Sequence, residues 1–267
     1  MMIDFYKPKN IILEKYIEGY YFISEDKNST PIKYKTFPNN FCILSTNQNA
    51  LVESKTHELI IQSSKEENII THLTCRYVLP IQVHYTHPLN EITIYFKPLG
   101  INQFLNDTKD IYSESTVLDF TFLSDFNTTI KEIFILNREA QIQELEQYLV
   151  SRLQIKDFSL IEKILIDLES DKKIEDIAKK YQITRQYLNT IFKKHMGKSL
   201  SEYRKIHRFR NSLIKQKESK NFTELSQSEF YDQSHFIRNF KELAQMNPQQ
   251  FFKNVEINNK ENIWLFI

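Results

Sequence analysis

Two short runs near the carboxyl end set amide, hydroxyl and cationic tips against a regular apolar backing. In "TRQYLNTIFKK" (Thr184–Lys194), Leu188, Ile191 and Phe192 fall at i, i+3 and i+4 and share one helix face. Arg185, Gln186, Asn189, Thr190 and Lys193 are left on the other side. In "DQSHFIRNFK" (Asp232–Lys241), Phe236 and Phe240 form the stripe, and Gln233, Ser234, His235, Arg238, Asn239 and Lys241 remain outward. These tips suit the donor–acceptor pattern of a DNA major groove, where Arg forks to guanine and Asn or Gln to adenine. Lys193, Lys194 and Lys241, one or two turns further on, suit phosphate contacts.

Such tips need helices to carry them, and the flanking sequence supplies two similar sets. Ile174, Ile177 and Ala178 mark a short amphipathic helix, followed by a turn through Tyr181–Ile183 and the helix that starts at Thr184. Phe222, Leu225 and Ser226 repeat the first element, and a second turn through Glu229–Tyr231 leads to the helix that starts at Asp232. Thr184 and Asp232 are good N-caps, each able to accept from an orphan backbone N–H of the next turn. Ala178 and Ser226 are small where paired helices approach. The pattern implies two helix-turn-helix units.

The charge distribution agrees. The chain has 267 residues, enough for two domains, with 41% hydrophobic and 26% charged residues and a net charge of +1. From Lys156 to Lys253 there are 20 Lys/Arg against 13 Asp/Glu; the remainder holds 15 against 21. A basic end beside an acidic one implies one half that meets a polyanion and one that does not. The first residues show no basic stretch followed by an apolar one, and no apolar run approaches the roughly 20 residues of a membrane span. The expectation is a cytoplasmic protein without a membrane partner.

Residues 159–253 resemble the DNA-binding domain of the AraC/XylS family of bacterial transcription regulators. The matching segments are "IEDIAKKYQITRQYLNTIFKKHMGKSLSEYRKIHRFR" and "FYDQSHFIRNFKELAQMNPQQFF", the latter through Phe230, Asp232, Ser234, Phe236, Arg238, Phe240, Lys241, Pro248 and Phe251. The resemblance implies two helix-turn-helix units held by a long central helix, about Leu200–Gln216, with recognition helices entering adjacent major-groove segments of double-stranded DNA. On that template Arg185, Gln186, Asn189 and Thr190 read the first segment. Ser234, His235 and Arg238 read the second, with Lys193, Lys194, Asn239 and Lys241 at phosphates. Glu229 and Gln245 stand where the family carries glycine, whereas Gly197 is kept; a left-handed turn costs a residue other than glycine about 1 kcal/mol.

The expected organisation is an α+β chain of two domains: residues 1–153 as a sensor or dimerisation domain, 157–254 as the DNA-binding domain, and 255–267 as a tail. Before about residue 100, "EGYYFIS", "FCILST", "HELIIQ", "NIITHLT" and "EITIYFKP" read as short strands of a barrel or sandwich. "GINQFLND", "DFNTTIKEIFIL" and "REAQIQELEQYLVSRL" read as trailing helices. The last places Ile142, Leu145, Leu149 and Leu153 at helical spacing, to close the domain, form a homodimer seam, or both. "ITIYFKPLGINQFL" looks like the strand-to-helix transition of one AraC-type amino-terminal group, which implies a cupin-like β-barrel acting in effector binding or dimerisation, with no effector named.

An alternative function centred on that barrel, metal-dependent or protein-interacting, has weaker sequence support. His72, His84, His87 and Glu91 faintly resemble a cupin metal set, but residues three apart on a strand point to opposite faces. No metal, cofactor or catalytic set is expected. Tyr20, Tyr21, Phe22, Phe41, Tyr95 and Phe96 line a cavity or fill the core. Cys42 and Cys75 have no zinc spacing in sequence and read as small buried hydrophobes.

Overall fold

The structure, a computed structural model, describes residues 4–108, 110–112, 117–218, 233–256 and 265–266. The strands lie in two six-stranded sheets. The first has the order β1 (Asp4–Tyr6), β2 (Ile17–Ile23), β9 (Glu91–Phe96), β4 (Cys42–Gln48), β7 (Ile69–Thr74) and β10 (Val117–Asp119). The second runs β11 (Val255–Glu256), β12 (Leu265–Phe266), β3 (Ile32–Thr36), β8 (Ile81–Tyr85), β6 (Glu58–Ser63) and β5 (Ala50–Lys55). All pairings are antiparallel except β6 with β8. The anticipated barrel is thus a two-sheet sandwich in which each sheet keeps its edges among the described residues. Asn49, at φ 53°, makes the step between β4 and β5 and so carries the chain from one sheet to the other.

Strand alternation explains the layers. On β2, Tyr20 and Phe22 face one cluster while Tyr21 and Ile23 face another. The second cluster lies between the sheets, joining Tyr21, Ile23 and Tyr95 to Tyr34, Leu59, Ile61, Val83 and Tyr85. The first packs against α1 (Ile11–Glu14), α2 (Phe126–Phe134) and α3 (Arg138–Arg152), through Leu13, Ile130, Ile133, Ile142, Leu145 and Leu149. Most of the aromatics in question are therefore core. The α3 stripe is buried in its own domain, with Leu153 packed beside it, so these side chains are not available as a homodimer seam. The segment expected to be a helix after Pro98 is only one 3-10 turn, Ile101–Gln103.

The boundary near 154–159 is stitched to the β-domain: Gln154 N donates to Gln103 O at 2.8 Å, and Lys156 N to Gln103 Oε1 at 2.7 Å. Six helices are described beyond it: α4 (Ser159–Glu169), α5 (Ile174–Lys180), α6 (Arg185–Met196), α7 (Leu200–Glu218), α8 (Gln233–Ala244) and α9 (Pro248–Asn254). The tail after α9 contributes β11 and β12, and β12 pairs with β3 at Phe266 and Lys35, so its backbone joins the second sheet.

Candidate nucleic-acid interface

α5 and α6 form the first unit. α5 ends where Ile183 N donates to Ala178 O at 3.0 Å, with Gln182 at φ 53° making the left-handed turn. Thr184, extended at φ −72° and ψ 151°, caps α6 by accepting from Tyr187 N at 3.1 Å. Leu188, Phe192 and Met196 are buried against α4, α5 and the first turns of α7, where Leu200 and Tyr203 join them. Asp167 braces this unit. It is 3% exposed and accepts from Lys172, from Lys180 at 2.5 Å and from the Tyr181 hydroxyl at 2.7 Å, tying α4 to α5.

Lys172, then Lys180, together with the Tyr181 hydroxyl, hold the Asp167 carboxyl well below the usual carboxylate range. Its stabilising contribution is therefore full above the unfolded carboxyl pKa of about 3.9 and is lost as pH falls through the lower folded value. Asp167→Asn should cost about 2 kcal/mol at neutral pH. It should also remove part of the acid limb of a urea-midpoint profile measured against pH.

The outer side of α6 is polar, as expected. Arg185, Gln186, Thr190, Lys193 and Lys194 are exposed. Arg185 Nη1 rests on Glu175 Oε1 at 2.7 Å, and the Thr190 hydroxyl donates to Gln186 O at 3.0 Å. Asn189 differs from the rest. It is half-buried, and its Oδ1 accepts from Leu200 N at 3.3 Å, satisfying an orphan donor at the start of α7. Sequence reasoning passed over Tyr187, which is 54% exposed in the first turn of α6. Its signal was available: it lies off the Leu188–Phe192 stripe.

α8 belongs to the second unit and packs on the later turns of α7, where Phe236, Phe240 and Leu243 meet Ile206, Phe209 and Leu213. Ser234, Arg238 and Lys241 are exposed and Asn239 is half-buried. The backbone of His235 is helical. The unit's first helix and turn, with Phe222, Leu225, Ser226, Glu229, Phe230, Tyr231 and the expected cap Asp232, lie outside the described residues.

The two units end alike, which supports the repeat. Gly197 N donates to Lys193 O at 2.9 Å and Gln245 N to Lys241 O at 2.8 Å, and both residues are left-handed, at φ 67° and 54°. A cap follows each. At the start of α7 Ser199 N donates to Glu202 Oε2 and Glu202 N to Ser199 Oγ, and at the start of α9 Asn247 Oδ1 accepts from Gln250 N at 2.8 Å. Only the first unit has glycine at this turn. A Cβ on Gly197 would also lie 2.5 Å from the Tyr112 ring of the β-domain. Gln245→Gly should relieve the left-handed strain and raise stability by about 0.5–1 kcal/mol, read as a higher denaturant midpoint.

The β-domain grips both units. Leu99 packs into the core of the first, and Phe37 into the core of the second, its ring centroid 4.7 Å from that of Phe251. Arg210 of α7 donates from Nε to Pro38 O at 2.7 Å and from Nη2 to Phe37 O at 2.8 Å, and Asn40 Nδ2 donates to Tyr203 O at 3.1 Å.

Elsewhere in the β-domain the histidines are dispersed. His84 faces Glu58 at 3.5 Å, His87 faces Glu25 at 4.0 Å, and His72 is buried on β7. Glu91 accepts from Tyr21, Tyr85, Asn47 and Thr93 between the sheets. Among the described residues, no group of three or more His, Cys, Asp or Glu side chains converges as a metal site would need, and no helix is long and apolar enough to cross a membrane.

Residues 177–254 match the family described as "Helix-turn-helix domain". The chain is 27% identical over 177 residues to the uncharacterized HTH-type transcriptional regulator YtdP of Bacillus subtilis. That alignment takes in 64% of this chain and 22% of the relative, so the chain spans only about a fifth of that protein's length. Two solved structures of ToxT from Vibrio cholerae are similar at 15% and 14% identity. The first covers 88% of this chain and 98% of its own, with a TM-score of 0.44. The second, bound to an unsaturated fatty acid, covers 86% and 92%, with a TM-score of 0.42.

Proposed function

We propose that this protein, whose carboxyl-terminal region is a helix-turn-helix domain of the AraC type, is a sequence-specific DNA-binding transcription regulator acting in the cytoplasm without catalysis of its own. The observation that carries this reading is the Thr184-capped α6, which sits on α7 with Arg185, Gln186, Tyr187 and Thr190 exposed and Lys193 and Lys194 one turn on. α8 repeats the arrangement further along the same helix, with Ser234, Arg238 and Lys241 exposed.

In this reading Arg185, Gln186 and Thr190 read one major-groove window, and Ser234, His235 and Arg238 read the next. Lys193, Lys194, Asn239 and Lys241 meet phosphates. Asn189 serves first to hold the start of α7, so its base contact uses the amide group left over. Control by an effector acts through the β-domain, because Leu99 and Phe37 seat the two units on it. A metal-dependent role for that domain has no comparable support, since His72 lies on β7, His84 on β8 and His87 in the bend after it, each apart from the others.

Selection by the full chain from a random duplex pool tests the proposal. It should return two sequence blocks about one helical turn apart, with affinity falling steeply as salt rises. Lys193→Ala should weaken all duplexes alike and reduce the salt slope by about 1. A pool that stays random after selection at low salt would remove the proposal.

A further inference from the structure

We propose that Cys42 and Cys75 are a redox-active pair that a hydroperoxide converts to a disulfide, and that Lys198 couples the state of this pair to the seat of the α6–α7 turn. This goes beyond DNA binding and does not depend on it. The pair follows from strand register. β4 and β7 oppose Leu44 with Leu73 and Ile43 with Thr74; continued one step past the end of β7, that register sets Cys42 opposite Cys75. Directly opposed residues of an antiparallel ladder hold their Cα atoms about 4.5–5.5 Å apart with side chains on one face. A disulfide spans roughly 4.4–6.8 Å, so the backbone is already placed for one. Both thiols are free, both belong to one buried cluster, and they lie within hydrogen-bond reach of each other.

The third member comes from the other domain. Lys198 follows Gly197 in the α6–α7 turn, is only 1% exposed, and donates from Nζ to Cys75 O at 2.9 Å. Tyr112 lies beside it, packed on Gly197, with its hydroxyl donating to Asn102 Oδ1 at 2.8 Å; Asn102 Nδ2 in turn donates to His195 O at 3.1 Å. A buried ammonium held by one carbonyl gains from a nearby anion. The Cys75 thiol, with help from Lys198 and Tyr112, holds the Cys42 thiol below its ordinary value against the opposing effect of burial, whereas burial pushes the Cys75 thiol up. Cys42 is also the more accessible, at 9% exposure against 1%. This assigns attack to Cys42 and resolution to Cys75.

The chemistry balances as two steps. The Cys42 thiolate attacks the terminal peroxide oxygen, the O–O bond breaks, and the departing oxygen takes a proton to leave as an alcohol, or as water from hydrogen peroxide. The sulfur of Cys75 then attacks the resulting sulfenic sulfur. The S–O bond breaks, and its oxygen leaves as water with the proton from Cys75. Two electrons pass from the two sulfurs to the peroxide. The product carries no thiolate, so Lys198 keeps only Glu202 as a neighbouring anion and the α6–α7 turn sits less firmly on the β-domain.

The test treats the full chain with hydrogen peroxide under native conditions and follows intact mass, thiol titration and hydrogen exchange. The expected product has lost two hydrogen atoms and both thiols together, and dithiothreitol restores it. Residues 196–200 should exchange faster in the oxidised form. Cys75→Ser should stop at a sulfenic acid that dimedone traps, and Lys198→Met should slow thiol loss on the order of tenfold. Wild-type chain that keeps both thiols, or oxidises each separately to sulfinic acid, overturns the pair without recourse to any variant. A disulfide that forms with unchanged exchange at 196–200 overturns the coupling through Lys198.

Discussion

Phe37→Ala should lower the stability of the protein by about 3–5 kcal/mol, the cost of truncating a fully buried phenylalanine. Phe37 is 0% exposed and leaves the β-domain to enter a cluster made almost wholly by helices of the second unit: Ile206, Phe209 and Leu213 of α7, Phe236 and Phe240 of α8, and Phe251 of α9. Its ring meets Phe251 edge-on, and Phe251 in turn meets Phe240 with centroids 5.1 Å apart. The alanine variant leaves a void within that cluster, and nearby Arg210 still holds the carbonyls of residues 37 and 38. The loss should therefore be local first. Amide exchange should rise in α8 and α9 while the two sheets keep their protection. An unfolding free energy, from denaturant titration, within about 1 kcal/mol of the parent's would show that Phe37 does not join the domains.

The second large effect concerns binding. Arg185→Ala with Arg238→Ala should lose about 2–6 kcal/mol of affinity for the preferred duplex, because each guanidinium contributes about 1–3 kcal/mol of base discrimination. Each side chain sits on its own helix and each helix on its own stretch of α7, so the two losses should add. Arg185 has one complication. Its ion pair with Glu175 is exposed on both sides, and such pairs contribute little, so the guanidinium is easily released to a base. Equilibrium titration of the two single variants and the double variant, at fixed salt, measures the effect.

Much of the carboxyl-terminal half was legible because its signals are local. Leu188, Ile191 and Phe192 fix the buried face of α6, Thr184 fixes its start and Gly197 its end, and helical periodicity needs nothing from the rest of the chain. Gln245 takes the same left-handed turn without glycine, because the repeat's architecture outweighs the local preference. The β-domain was harder to read. Five strands were visible as apolar runs, but β3 and β8 are short with partners far away in sequence, and β5, hairpinned to β6, is mostly exposed and carries no apolar run. Whether strands close into a barrel or stack as two sheets depends on register, which no local pattern carries.

Tertiary placement accounts for the residues that changed role. Asn189 has the chemistry of a base reader, but the fold turns its Oδ1 to Leu200 N. Lys198 stands in a basic run and reads as a surface cation, yet the fold buries it against the Cys75 backbone, more than 120 residues earlier in the chain. Phe37 sits in "TFPNN", which reads as loop; its partners lie about 170 residues or more further along the chain.

The claim on which the rest stands is that α6 and α8 address two separate, consecutive windows of duplex DNA. Base preference measured position by position, on the selected duplex, for Arg185→Ala and Arg238→Ala in the full chain tests it most directly. The account predicts that each variant relaxes preference within one block and leaves the other intact, with the two blocks about one helical turn apart. Loss of preference in the same block for both variants, or in neither block for either, would contradict it.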